Sequence, residues 1–174
     1  MDVRFETEKG NKAGTHEWLT PPDIIKILGP FDLDPCYSEP RFFETAKEYY
    51  DEKQNGLVQP WKGFVWCNPP YGEHTEKWLA KCSIHKDCIA LIFARTETKM
   101  FQEFIWNKAK AVLFIYGRLS FYRPDGIRGQ SAGAPSCLVA WSDLGVERLK
   151  KYKNGKLVYL ENEEVEETSL LEHL

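Results

Sequence analysis

The residues best suited to chemistry lie in one stretch, Phe64-Val65-Trp66-Cys67-Asn68-Pro69-Pro70-Tyr71. The side-chain oxygen of Asn68 and the backbone carbonyl of Pro69 can each accept one N–H from a planar NH2 group. Two such acceptors draw an amino nitrogen toward a tetrahedral, more nucleophilic state as it attacks a methyl group, which is preorganised electrostatic catalysis. The Tyr71 ring can stack on a flat substrate. The plain structural account of the same tetrapeptide is a turn that ends a strand.

The elements around this stretch must hold it still. Phe64 to Cys67 is apolar on both faces, as in a strand buried within a parallel sheet. Pro69 and Pro70 lack backbone donors, so the strand stops at Asn68. A residue before proline is biased to an extended conformation, which fixes Asn68 and Pro69 just beyond the sheet. Open α/β sheets bind ligands there, outside the carboxyl ends of their strands.

Composition bounds the rest. The 174 residues suit one domain with a sizeable core, and 43% hydrophobic with 28% charged residues is ordinary globular usage. No apolar run approaches the ~20 residues that span a bilayer. Met1-Asp2-Val3-Arg4 lacks the layout of a signal peptide, so the expected location is the cytoplasm. With 23 basic and 26 acidic residues the net charge is −3, so any nucleic-acid surface must be local. Five cysteines, an odd number, argue against a disulfide framework. Cys82-x-x-His85-x-x-Cys88 lacks a second ligand pair for zinc and reads as structural thiols, so no metal site is expected.

Residues 1–16 read as a polar, flexible arm, and 17–160 as the folded domain. Thr20-Pro21-Pro22-Asp23 before Ile24, Ile25 and Leu28 predicts a helix with Thr20 as N-cap, Pro21 at its first position and Asp23 in a capping box. Phe31 to Cys36 predicts a short strand that ends on Asp34-Pro35, with Asp34 facing the same crevice as Asn68. An Asx turn is the structural alternative there. Phe42 to Ala46 reads as one or two helical turns, and Glu48-Tyr49-Tyr50 as a short strand. Asp51 follows Asp34 at about the ~20-residue interval at which an acid meets ribose hydroxyls in dinucleotide folds, with Glu48 and Glu52 as alternatives. The interval from Asp34 to Asn68 is too short for two full βαβ units of roughly thirty residues each, so the sheet is abbreviated.

A helix is expected over residues 73–84, and buried strands over 88–94, 111–116 and 136–141. Met100, Phe101, Phe104 and Ile105 read as the core side of a further helix. Residues 117–135 form a long connection carrying Arg118, Arg123 and Arg128 against Asp125, with Phe121 and Tyr122 between them. Arginines interleaved with aromatics suit phosphate contact and base stacking, and Arg95 is grouped with them. A solvated loop paired with acidic surface is the alternative. Residues 143–156 suggest a helix and turn, 157–160 an edge strand, and 161–174 an acidic, frayed tail.

Taken in order, Thr20-Pro21-Pro22, Phe31-Asp32-Leu33-Asp34-Pro35, Gly56-Leu57, Asn68-Pro69-Pro70-Tyr71 and Gly117-Arg118-Leu119 resemble the phage-type adenine-specific DNA methyltransferases. The resemblance spans roughly residues 17–142. It implies a small, abbreviated Rossmann-like α/β fold, its sheet mostly parallel with helices on both faces. It implies methyl transfer from S-adenosylmethionine to the exocyclic amino group of an adenine flipped out of double-stranded DNA, as in restriction-modification or phage systems. Asn68, Pro69, Pro70 and Tyr71 would then be catalytic. Thr20 and Pro21 would touch the methionine part of the cofactor and Asp34 and Pro35 its amino group, with Asp51 on the ribose and Asn55 near the adenine. Arg95, Arg118, Phe121, Arg123 and Arg128 would meet DNA. The family pattern has glycines after its acid-proline pair, where this chain has Cys36-Tyr37. Two other readings remain open. Protein glutamine methyltransferases also use Asn-Pro-Pro-Tyr, and the fold could persist as a cofactor- or DNA-binding module without catalysis.

Overall fold

The computed structural model describes residues 19–72, 74–123 and 125–161. The expected arm at 1–16 lies outside the described residues, as does nearly all of the tail. The elements in chain order are α1 (Pro22–Leu28), β1 (Leu33–Asp34), β2 (Glu48–Tyr49), β3 (Val65–Cys67), α2 (Thr75–His85), β4 (Cys88–Phe93), α3 (Lys99–Phe101), β5 (Ala111–Ile115), β6 (Ser120–Tyr122), β7 (Arg128–Ser131), β8 (Ser136–Ala140), α4 (Asp143–Leu149) and β9 (Gly155–Tyr159). Helix α3 runs on into a π-helical turn at Gln102–Trp106, so the aromatic helix read from the sequence forms but with widened winding.

Seven strands make one sheet in the order β2-β1-β3-β4-β8-β5-β9. The β2–β1, β1–β3 and β3–β4 pairs are parallel. Strand β8 lies antiparallel between β4 and β5, and β9 is antiparallel to β5. Strands β1 to β5 therefore all run one way, against β8 and β9. The expected mostly parallel sheet is a mixed one, parallel throughout only on the β2–β4 side.

The buried runs predicted for the central strands feed two cores, because successive side chains alternate across a sheet. Trp66, Ile89, Leu91, Leu113 and Leu138 pack with Ile24, Leu28, Val146 and Leu149 of α1 and α4. Val65, Cys67, Ala90, Ile92, Val112 and Val139 pack with Trp78, Leu79, Phe101 and Ile105 from the other helices. Helices thus cover both faces of a mixed α/β fold. Among the described residues no helix is long and apolar enough to cross a membrane.

Three local expectations are corrected. Helix α1 starts at Pro22 and has no side-chain cap. Pro22 forbids a helical Pro21, which sits extended at φ −53°, ψ 128°, so Thr20 falls one residue too early to cap. Phe42 to Ala46 is irregular rather than helical. The 117–135 connection is no open loop: β6 and β7 pair as an antiparallel hairpin. Asp125 Oδ1 accepts from Ile127 N at 3.0 Å, and Gly126 supplies φ +81° in its turn.

Candidate active site

One crevice of about 970 Å³ opens at the carboxyl ends of β1, β3 and β4. Thr20, Asp34, Pro35, Asp51, Asn55, Asn68, Pro69, Pro70 and Tyr71 all border it. The structure therefore gathers every residue assigned to catalysis and all but one assigned to the cofactor. The exception is Pro21, which borders a separate pocket of about 430 Å³ together with Arg118, Arg128, Tyr116 and Tyr122. Backbone hydrogen bonds of 2.8 Å in both directions bridge Leu19 and Tyr122 between the two pockets.

The chain leaves β3 at Cys67 and turns at once. Thr75 Oγ1 donates to the Pro70 carbonyl at 2.9 Å and accepts from Gly72 N at 3.1 Å, so the first residue of α2 clasps the turn. Gly72 takes φ +130°, a conformation that side chains resist. The Tyr71 ring stacks on Phe93 at 4.1 Å and 14°, and Phe121 meets it edge-on at 6.5 Å. One face of Tyr71 is thus already covered. Burial of its hydroxyl raises its pKa above the usual phenol range. Phe121 is only 4% exposed, so it forms a wall behind Tyr71 rather than a platform for DNA.

At the β1 end Asp34 is buried. Its carboxylate accepts from Cys36 N at 3.0 Å, from Thr45 Oγ1 at 2.5 Å and from Arg41 Nη1 at 3.1 Å. Burial pushes this carboxyl above its ordinary value, against the pull of Arg41. The Asx turn and the crevice-facing acid, offered as alternatives by the sequence, are both present. Asp51 Oδ1 accepts from Gln54 N at 2.8 Å and shapes the turn that carries Asn55 at φ +54°.

Two further residues shape this wall. A Cβ on Gly56 would come within 2.2 Å of the Pro35 carbonyl oxygen, so only glycine lets the Asn55 turn lie against the end of β1. Lys81 Nζ donates to the carbonyls of Gly56, Leu57 and Gln59 at 3.0, 2.8 and 2.5 Å, and sits 5.0 Å from the centre of the Trp61 ring. Desolvation lowers its pKa. Sequence reasoning missed Arg41, Lys81, Thr75 and Phe93. Lys81 and Phe93 meet partners about twenty residues away, and Arg41 and Thr75 act within turns that follow no helix or strand period.

Arg118 and Arg128 share the smaller pocket, which Arg95 and Arg123 do not border. Arg95, Arg118, Arg123 and Arg128 are exposed. Arg123 lies 3.9 Å from Asp125, and none of the four borders the crevice. The hairpin touches the segment after β1, where Phe42 and Tyr122 rings lie 5.6 Å apart. The Cys82-His85-Cys88 group is split: both thiols are buried, and Cys88 Sγ lies 3.5 Å from the Cys82 carbonyl, while His85 Nε2 pairs with the Gly63 carbonyl at 2.9 Å.

The crevice thus sets an acid and an amide-bearing turn at one end against an amide, two prolines and stacked rings at the other. That arrangement can hold a cationic, ribose-bearing group beside a planar amine. A protein-family model described as DNA N-6-adenine-methyltransferase (Dam) matches residues 7–166. No curated protein and no solved structure matches the chain. With nearly its whole length inside that match and the Asn-Pro-Pro-Tyr turn at the mouth of this crevice, the chain belongs to the DNA N-6-adenine-methyltransferase family, enzymes that methylate the exocyclic amino group of adenine in DNA.

Proposed function

We propose that this adenine methyltransferase draws its methyl group from S-adenosylmethionine in the crevice, on a Rossmann-like sheet, and acts on adenines turned out of double-stranded DNA. The observation that carries the reading is the meeting of Asp34 and Asn68–Tyr71 across one crevice at the carboxyl ends of parallel strands. That is where α/β sheets place ligands. The donor set fits the cofactor: Thr20, Asp34 and Pro35 would hold its amino-acid end, Asp51 its ribose and Asn55 the neighbourhood of its adenine. When bound, it supplies an electrophilic methyl carried on a sulfonium sulfur.

The chain's own residues do the remaining work. Asn68 Oδ1 and the Pro69 carbonyl accept the two N–H bonds of the target amine, and their negative ends stabilise the positive charge that grows on nitrogen. Tyr71, backed by Phe93, holds the base plane. A base inside a duplex cannot enter a crevice, so flipping is required. The exposed arginines of the hairpin and Arg95 then meet phosphates beside the crevice rather than within it. We place the enzyme in the cytoplasm, since packed, unbridged thiols suit a reducing compartment.

The test is tritiated methyl transfer from S-adenosylmethionine to unmethylated duplex DNA, with a glutamine-containing peptide alongside and digestion of the DNA to nucleosides. Label is expected in N6-methyladenine alone. Label in the peptide and none in DNA would overturn the reading.

A further inference from the structure

The segment after β1 does something the family's usual glycines would not. It carries Arg41 back over the end of the strand, onto Asp34. The Arg41 side chain is 8% exposed and that of Asp34 3%. Nε of Arg41 donates to the Ser38 carbonyl at 3.0 Å, and Nη1 is shared between Asp34 Oδ2 at 3.1 Å and Thr45 Oγ1 at 2.9 Å. The Tyr37 ring lies 4.3 Å under the guanidinium carbon. Nη2 makes no hydrogen bond among the described residues, and Arg41 borders the crevice. A guanidinium so deeply buried is held by its neighbours on one edge and leaves a donor edge unspent.

Asp34 is similarly incomplete. A carboxylate offers about four acceptor sites, and Cys36 N, Thr45 and Arg41 use three of them. The crevice wall therefore presents one open acceptor on an acid beside one open donor edge on a base. The complementary ligand is a zwitterion, a free α-amino acid group with its ammonium and carboxylate on one carbon.

We propose that Arg41 is the carboxylate anchor for the amino-acid end of the cofactor, with Asp34 taking the ammonium. The inference rests on the reading that S-adenosylmethionine binds in this crevice. It also accounts for the missing glycines: where close backbone approach is lost at Cys36-Tyr37, a side-chain ion pair supplies the contact. A charge-assisted hydrogen bond of this kind is worth roughly ten- to a hundred-fold in affinity.

The experiment compares two ligands by calorimetry, S-adenosylmethionine and its decarboxylated form, which keeps the ammonium and loses only the carboxylate. Wild type should prefer the carboxylated ligand by about ten- to a hundred-fold, and Arg41→Gln should bind the two alike. Arg41→Gln leaves Asp34 to bear its burial alone, so Asp34→Asn/Arg41→Gln, which keeps no buried charge, is measured beside it and should also lose the preference. Equal affinities in the wild type, or a preference that survives in either folded variant, overturn the anchor while leaving the cofactor reading intact. No binding of either ligand to the wild type overturns both.

Discussion

Two carboxylates flank the first strand, and they live in opposite circumstances. Asp32, at the amino end of β1, is 42% exposed in its side chain. It accepts from Lys47 Nζ at 2.7 Å and from Phe64 N at 2.8 Å, and those donors hold its pKa below the ordinary value. Asp34, at the carboxyl end, is buried, and desolvation pushes its pKa up despite Arg41 and Thr45. One acid ties β1 to the start of β3 and gains from being charged. The other presents itself to the crevice and is disfavoured as an anion. In the function proposed above, the amino end of this strand serves the fold and its carboxyl end serves the ligand.

That contrast can be broken at several points. The largest effect is expected at the carboxyl end of β3. Asn68→Ala should lower methyl transfer by about a hundred- to a thousand-fold, because it removes one preorganised acceptor from the reacting nitrogen. Cofactor affinity measured by calorimetry should hardly move. A wild-type rate in this variant would reduce the Asn68–Tyr71 stretch to a strand terminator.

Next comes Asp34→Asn, which keeps the shape of the side chain and removes its charge. It should weaken S-adenosylmethionine by about tenfold or more through the lost ammonium contact; made in the Arg41→Gln background, where it strands no buried guanidinium, it should shift the urea midpoint less than Asp32→Ala does. If both variants behave alike in both assays, the division of labour along β1 is wrong.

Asp32→Ala should cost about 1 kcal/mol, since it strands the Phe64 amide, and it should leave cofactor affinity unchanged. The pair with Lys47 is exposed and adds little. The pH profile carries opposite signs at the two sites. The lowered pKa of Asp32 gives stability that is present above its unfolded value near 3.8 and lost as pH falls through the folded one. The raised pKa of Asp34 makes stability fall as pH climbs above 3.8 through its folded value. Urea midpoints against pH should therefore lose their acid-side drop in Asp32→Asn and their upper decline in Asp34→Asn.

The smallest effect lies outside the sheet. Arg123→Ala should flatten the log-log dependence of DNA affinity on salt by about one unit, without changing cofactor binding. An unchanged slope for this variant and for Arg118→Ala and Arg128→Ala would move the DNA surface away from the hairpin.

The central strands were legible because Ala111–Ile115 and Cys88–Phe93 are continuous apolar runs bounded by polar turns. The placement of Asp34 and Asn68 followed, since proline stops both strands on the same side of the sheet. The hairpin was illegible because β7, Arg128-Gly129-Gln130-Ser131, has none of the β-branched or aromatic residues that announce a strand. Its pairing comes from β6 and from the Asp125–Gly126 turn. The helix start was misread because Thr-Pro-Pro satisfies the capping pattern residue by residue, and only the second proline's demand on the first rules it out. Arg41 belongs to no motif in the sequence. Its role needs a segment without regular structure to fold back over Asp34, and no periodicity encodes that.

The thiols have a consequence for watching this enzyme move. Cys36, at the edge of the crevice, has its Sγ 3.8 Å from that of Cys67, the residue just before Asn68. Burial raises the pKa of both, and of Cys82 and Cys88 beyond them. Thiolate is the form that reacts, and Cys67, unlike Cys36, is fully buried. Labelling of Cys67 must wait until the end of β3 opens. Its rate is therefore a built-in clock for breathing at the active-site strand, and a ligand seated in the crevice should slow it.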